Sequence, residues 1–417
     1  MSENQELSFY GLGIAPKVLE ILERMKFKTP TPIQHKAIPS AIEGKDVMGV
    51  AQTGTGKTLA FAIPMVQRLA AGKGIGLILV PTRELAYQVE ETIRKVAPAF
   101  GIQSVVLIGG ASMEEQIRAL HRHPRVIVAT PGRLIDHVTE RHTLKLDNVS
   151  VLVLDEADRM FDMGFAPQIE QILRFVPKDR QTMLFSATMP REIMALTSRH
   201  MKLPIHIEVA RSGTVATNVT QELYIINREQ KNLLLQKLLT SCRGSVLVFS
   251  RTKHGARKIT MDLKKMNINA AEIHSDRSLA QRKQALEGFK VGRYRVLVAT
   301  DIAARGIDVK NIELVVNYDL PDDADNYVHR IGRTARAGME GRAISFATPD
   351  QFEEVRNIQK LVQIDIPVAT HPEVQSQEFW LKPPSVHAPS ASAGGARKFG
   401  GRSFRPRAGA GGRFRRR

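Results

Sequence analysis

Ala51-Gln52-Thr53-Gly54-Thr55-Gly56-Lys57-Thr58 follows a short apolar run, Val47 to Val50, and precedes Leu59 to Leu69, whose apolar positions recur at helical spacing. The run reads as a buried strand and the later segment as a helix, so the glycines fall in the turn between them. Strand, glycine-bearing turn and helix start make a phosphate site. The amides of Gln52, Thr53, Gly54, Thr55 and Gly56 and the positive helix end face an anion. Lys57 reaches the outer phosphates of a nucleotide and the Thr58 hydroxyl holds magnesium. Ala51 stands where the usual pattern has its first glycine.

Around this turn the chain alternates. Residues 7 to 43 read as helical, punctuated by Pro30 and Pro32. Short β-branched runs then occur at Val47 to Val50, Leu77 to Val80, Val105 to Ile108, Val126 to Ala129, Val149 to Leu154 and Thr182 to Ser186, with helix-period segments between them. That alternation predicts an α/β domain, a parallel sheet with helices on both faces, over residues 1–208. Residues 209–220 are mostly small and polar and read as a linker. A second alternation, with strands at Glu222 to Ile226, Ser245 to Ser250, Ala271 to His274, Arg295 to Ala299, Glu313 to Asn317 and Arg342 to Ala347, predicts another such domain over residues 221–370. The second half has no glycine-lysine turn of its own, so a single nucleotide site is expected.

Lys and Arg outnumber Asp and Glu by 60 to 42, and a net charge of +18 points to a polyanionic partner such as nucleic acid. Residues 371–417 hold ten Lys or Arg against two Glu, in a background of Pro, Ser, Ala and Gly. That segment reads as a disordered basic tail that adds non-specific affinity for phosphates, with Phe399, Phe404 and Phe414 available to stack on bases. No apolar run approaches the roughly 20 residues needed to span a bilayer, so no membrane role is expected. One cysteine, Cys242, makes neither an internal disulfide nor a thiolate zinc site, which suits a cytoplasmic protein.

Val151 to Asp158 place Asp155, Glu156 and Asp158 where an apolar strand runs out, beside the phosphate turn. There Asp155 holds magnesium and Glu156 orients or deprotonates the attacking water. Asp155-Glu156-Ala157-Asp158 is also the signature of the DEAD-box RNA helicases, and the resemblance covers about residues 9–348. It includes Phe9, Thr31-Pro32-Ile33-Gln34, Ala51 to Thr58, Pro81 to Ala86, Gly109-Gly110, Thr130-Pro131-Gly132-Arg133, Ser186-Ala187-Thr188, Val248-Phe249-Ser250, Ala299 to Asp308 and His329 to Arg336. Within the family the chain looks most like the bacterial RhlE-type subgroup.

The resemblance implies two tandem RecA-like domains and an RNA-dependent ATPase that uses ATP and Mg2+ to unwind short duplexes locally. It implies adenine recognition by Gln34, with Phe27 packed near the base, and ribose contact by Asp308. Arg333 and Arg336 reach across the cleft to the γ-phosphate, and His329 links their segment to the Asp155 turn. RNA contacts are implied at Arg83, Gly110, Thr130, Gly132, Arg133, Arg251, Arg282, Thr300 and Asp301, residue types suited to sugar and phosphate rather than base edges. Ser186 and Thr188, with Asp158, resemble the segment that couples ATP turnover to strand separation. Ribosome-assembly or RNA-decay complexes are candidate partners. Three departures stand out: Ala335 and Lys26 where the family has glycine, and Leu279 where it has glutamine.

Overall fold

The computed structural model describes residues 7–51, 54–209, 219–304, 309, 312–334 and 340–380. Gln52, Thr53, Asp308, Ala335 and Arg336 lie outside the described residues, as do most of the expected linker and the tail beyond residue 380.

The first half forms a seven-stranded sheet from β1 (Val47–Val50), β2 (Ile75–Leu79), β3 (Ser104–Leu107), β4 (Val126–Ala129), β5 (Val149–Asp155), β6 (Gln181–Ser186) and β7 (Ile205–Glu208). Its order is β3-β4-β2-β5-β6-β1-β7, and every pairing is parallel. The second half forms a six-stranded sheet from β8 (Val219–Ile225), β9 (Ser245–Phe249), β10 (Ala270–Ile273), β11 (Val296–Ala299), β12 (Ile312–Asn317) and β13 (Gly341–Ala347). Its order is β10-β11-β9-β12-β13-β8, again all parallel. These are two RecA-like domains, each sheet buried by helices on both faces.

Strand pleating explains why such short apolar runs suffice. Along β5, Val151 and Val153 enter one core while Leu152 and Leu154 enter the other. Along β9, Val246 and Val248 face one way and Leu247 and Phe249 the opposite way. Each side chain so buried stabilises the fold by about 1.5–3 kcal/mol.

Three local features depart from the sequence reading. β7 was not anticipated, because only Ile207 of its four residues is fully buried and the strand sits at the sheet edge against β1. β8 begins at Val219, inside the expected linker, where Val and Thr suit a strand. The packed chain also continues past residue 370. Val374 is buried in the second core, Gln377 donates its amide to Ile225 O at 2.8 Å, and the Phe379 ring meets Phe352 edge-on with centroids 5.5 Å apart. With Leu223 N donating to Pro367 O and Ala369 N to Leu223 O, residues 367–380 cover the edge of β8.

The helices Pro16–Arg24 and Pro32–Ile42 each start on a proline, where the missing N–H costs nothing. The first ends with Phe27 N donating to Leu22 O and Lys26 N to Glu23 O, a Schellman closure that puts Lys26 at φ +61°. Lys26 therefore keeps a left-handed turn that glycine adopts without strain.

Candidate nucleotide and nucleic-acid site

Sheet order and register bring three strand ends side by side. Val50 at the end of β1 is paired with Ser186 of β6, and Asp155 at the end of β5 with Phe185. The chain leaves β1 through the glycine turn into the helix Lys57–Ala71, with Gly56 as its N-cap at φ +89°. Lys57 is buried and its Nζ donates to Ala51 O at 2.8 Å, folding the side chain back across the turn. Thr58 lies in the first turn of the same helix.

Gln34 touches this turn directly. Its Nε2 donates to Gly56 O at 3.0 Å, and its Oε1 accepts from Thr31 N at 2.9 Å. A Cβ at position 56 would lie 2.4 Å from Gln34 Nε2, so the close approach needs glycine. Gln34 is thus both the third residue of a capping box and a brace on the phosphate turn. The second amide hydrogen and second lone pair remain for a base edge. Phe27 stands nearby in sequence and is 40% exposed.

Asp155, Glu156 and Asp158 are all buried. Glu156 adopts a left-handed conformation, φ 53° and ψ 50°, and caps the helix Ala157–Asp162. Its amide donates to Asp155 Oδ1 at 3.0 Å. Burial pushes the Asp155 carboxyl up to about 7; the charge of Lys57 opposes this and Glu156 adds to it. Asp155, buried and crowded by Glu156 and Asp158, is a hard-oxygen donor of the type that fits magnesium. Among the described residues no group of three or more His, Cys, Asp or Glu is placed to hold a metal. Any magnesium bound here would need phosphate and water oxygens to complete its shell.

Asp158 is tied to β6. Its Oδ2 accepts from Ala187 N, Thr188 N and Thr188 Oγ1 at 3.0, 2.9 and 3.1 Å, and its amide donates to Ser186 Oγ at 3.1 Å. Burial works against ionisation there, but His329, then Lys57 and Arg159, hold the carboxyl below its usual range. His329 belongs to the helix Ala324–Ile331 of the second half, so charges from both halves meet at this acid.

Arg330 anchors that helix. It donates to both carboxylate oxygens of Asp301 at 2.6 Å and to Asp319 O at 2.6 Å, and its guanidinium lies 5.0 Å from the Phe249 ring centroid. Arg333 follows, buried, with Nε donating to His329 O at 3.2 Å. Arg159 from the first half and His329, Arg330 and Arg333 from the second line one cavity of about 10 Å³.

Three of the expected RNA residues in the first half cluster around one loop. Arg83 crosses Gly110, where φ is +79° and a Cβ would lie 2.3 Å from its Nη1. Arg133 Nη1 donates to Ala111 O at 3.1 Å. Gln116 clamps both the amide and the carbonyl of Ile108 at 3.1 Å, and His137 lies 3.3 Å from Gln116 Oε1. Thr130 caps the helix Pro131–Ile135, leaving Gly132 facing open space. In the second half, Arg251 is exposed and pairs with Asp322 at 3.1 Å, while Thr300 O accepts from Ala303 N and Ala304 N. Two further residues are held by buried partners: Asp301 lies under Arg330, and Arg282 forms a 2.7 Å ion pair with Glu84.

The sequence reading did not single out Glu84, Arg159, Gln116 or Arg330. Glu84 and Arg330 lie inside quoted motifs, and Arg159 directly follows the acidic one. Gln116 carries no motif signal.

A family model described as DEAD/DEAH box helicase matches residues 31–196, and one described as helicase conserved C-terminal domain matches residues 230–338. The chain is 41% identical over 389 residues to the ATP-dependent rRNA helicase RRP3 of Debaryomyces hansenii, covering 93% of this chain and 81% of that protein. It is 43% identical over 356 residues to the DEAD-box ATP-dependent RNA helicase CshA of Geobacillus kaustophilus, covering 85% of this chain and 76% of that protein. Among solved structures, S. cerevisiae Dbp5 bound to RNA and ADP BeF3 matches with a TM-score of 0.79 at 31% identity, covering 87% of this chain and 95% of that one.

Proposed function

The chain belongs to the DEAD-box ATP-dependent RNA helicases, and from that premise we propose that ATP and single-stranded RNA together draw its two halves shut over the turn at Gly54 to Thr58. It is an RNA-dependent ATPase that remodels RNA. The reading of its parts is carried by one observation: Arg159 beside Glu156 and the His329 to Arg333 segment of the other half line the same small cavity. Neither half alone completes such a site.

In this reading Gln34 selects adenine and Phe27 packs against the base. Lys57 neutralises the outer phosphates, with Gln52, Thr53, Gly54, Thr55 and Gly56 around them. Magnesium, held by Thr58 and Asp155, supplies further charge neutralisation at the phosphates. Glu156 takes a proton from the attacking water. Arg333 and Arg336 stabilise the charge that develops in phosphoryl transfer, and Asp308 holds the ribose. Asp158 passes the state of the nucleotide to Ser186 and Thr188. The loop at Gly110, the helix starting after Thr130, and Arg83, Arg133, Arg251 and Thr300 grip the RNA backbone without regard to sequence. Asp301, oriented by Arg330, faces the ribose 2′-hydroxyl through its remaining lone pairs.

The protein acts in the cytoplasm on structured RNA. The name of its rRNA-helicase relative favours ribosomal precursor over decaying messenger as substrate. The basic tail raises local RNA concentration.

Steady-state ATP hydrolysis with and without single-stranded RNA, beside Glu156→Gln and with DNA of equal length, tests the reading. Strong stimulation by RNA alone, abolished in Glu156→Gln, is the expected result. Equal stimulation by DNA, or none by RNA, overturns it. Deleting residues 382–417 separates the rival reading as a tail-borne RNA scaffold: loss of all RNA response with the tail favours the scaffold.

A further inference from the structure

We propose that Arg159 positions Glu156 for its work on the attacking water, an inference that rests on the reading of Glu156 as the general base. Arg159 follows the acidic motif in the first turn of the helix Ala157–Asp162. Its Nη1 donates to Glu156 Oε2 at 2.8 Å, with the two side chains 1% and 4% exposed. The arginine is held from its own backbone, since Arg159 N donates to Asp158 Oδ1 at 2.9 Å.

A flexible glutamate in a left-handed turn does not aim itself. The acids flanking Glu156 repel its carboxylate, so a fixed cation on one side decides which way it points. The arginine fork supplies direction as well as charge.

A role in stability alone fits these observations poorly. A buried ion pair barely repays the cost of taking two charges out of water, even when every donor is satisfied. Here Arg159 Nη2 is buried and has no hydrogen-bond partner among the described residues, which adds to that cost. Arg159 also lines, with His329 and Arg333, the cavity where the first half meets the second. Its location follows the reacting groups rather than the cores.

Arg159→Met, Arg159→Lys and Glu156→Gln in the full chain, with the double variant Glu156→Gln/Arg159→Met, test this. RNA-saturated kcat, KM for ATP and melting temperature are measured for each. Arg159→Met is expected to lower the melting temperature, since the Glu156 charge is left buried alone, and, assayed well below that temperature, to lower kcat at least tenfold with KM within threefold. Arg159→Lys is expected to recover part of the loss. In single-turnover reactions the double variant is expected to be no slower than Glu156→Gln. Arg159→Met with parental kcat overturns the inference, as does a further loss of the same factor in the double variant. Should Arg159→Met fail to fold, a folded Arg159→Gln, which also lacks the charge, takes its place, and parental kcat in it assigns the residue to stability and overturns the inference. Full activity in Glu156→Gln instead removes the general-base reading itself.

Discussion

Glu84 and Arg282, 198 positions apart in the chain, meet at 2.7 Å, and both side chains are nearly withdrawn from solvent. Glu84 lies in the first turn of the helix Arg83–Val96 of the first half, and Arg282 on the helix Leu279–Lys290 of the second. Burial raises the Glu84 carboxyl above its usual range while Arg282 draws it back. Removing one member of such a pair typically costs about 3–5 kcal/mol, because the other charge is left buried alone.

Arg282→Met is therefore expected to weaken closure rather than RNA contact. RNA affinity measured with a non-hydrolysable ATP analogue falls tenfold or more, while affinity without nucleotide changes less than twofold. An equal fall in both conditions would return Arg282 to a direct role on RNA.

Leu279 stands on the same helix face, three residues before Arg282, and packs against the core of the first half. Where the family places a glutamine, this chain makes an apolar contact between its halves. Leu279→Gln is expected to cost about 1–2 kcal/mol of that contact. The half-saturating RNA concentration in the ATPase assay rises several-fold, with kcat at saturating RNA unchanged.

His137 gives the packing behind the Gly110 loop a pH dependence. It is fully buried, and burial first, then the charge of Arg133, lowers its pKa from 6.5 to about 4. In the folded state it stays neutral, so between those values the unfolded chain binds the extra proton. Its contribution is complete above 6.5 and is lost as pH falls towards 4, by about 3 kcal/mol at the lower end. His137→Gln should be less sensitive to acid than the parent. Melting temperatures of the two followed from pH 7 to 4 should converge; a constant gap would remove His137 as the source.

Lys26→Gly is expected to stabilise the protein by about 0.5–1 kcal/mol, by relieving the left-handed strain at the end of the first helix. Chemical denaturation measures this, and a lower midpoint would show that the loss of chain entropy outweighs the strain.

Much of the fold was legible because parallel strands buried on both faces must be apolar throughout, and runs such as Val126 to Ala129 are short and sharply bounded. β7 was not legible: an edge strand with one buried face spends half its residues on solvent. The position of the candidate site was legible at Lys57 and the acids after β5, which the strand register brings to neighbouring strand ends. Partner choice was not. A guanidinium in a motif suits RNA phosphate, a carboxylate or a carbonyl equally, and Arg282 forms an ion pair across the halves whereas Arg133 bonds a loop carbonyl. Gln34 shows the same limit, since helix cap and base reader are both within the reach of one amide.

The covering of β8 by residues 367–380 sets where the protein can be shortened. A chain cut before residue 367 would present a bare strand border of unpaired amides and carbonyls, ready to zip onto another copy. Such a fragment would lose RNA activity by clumping, and the loss would be mistaken for a function of the tail. Shortened forms that end after Trp380 keep that border sealed, and with them a missing activity can be traced to the segment removed.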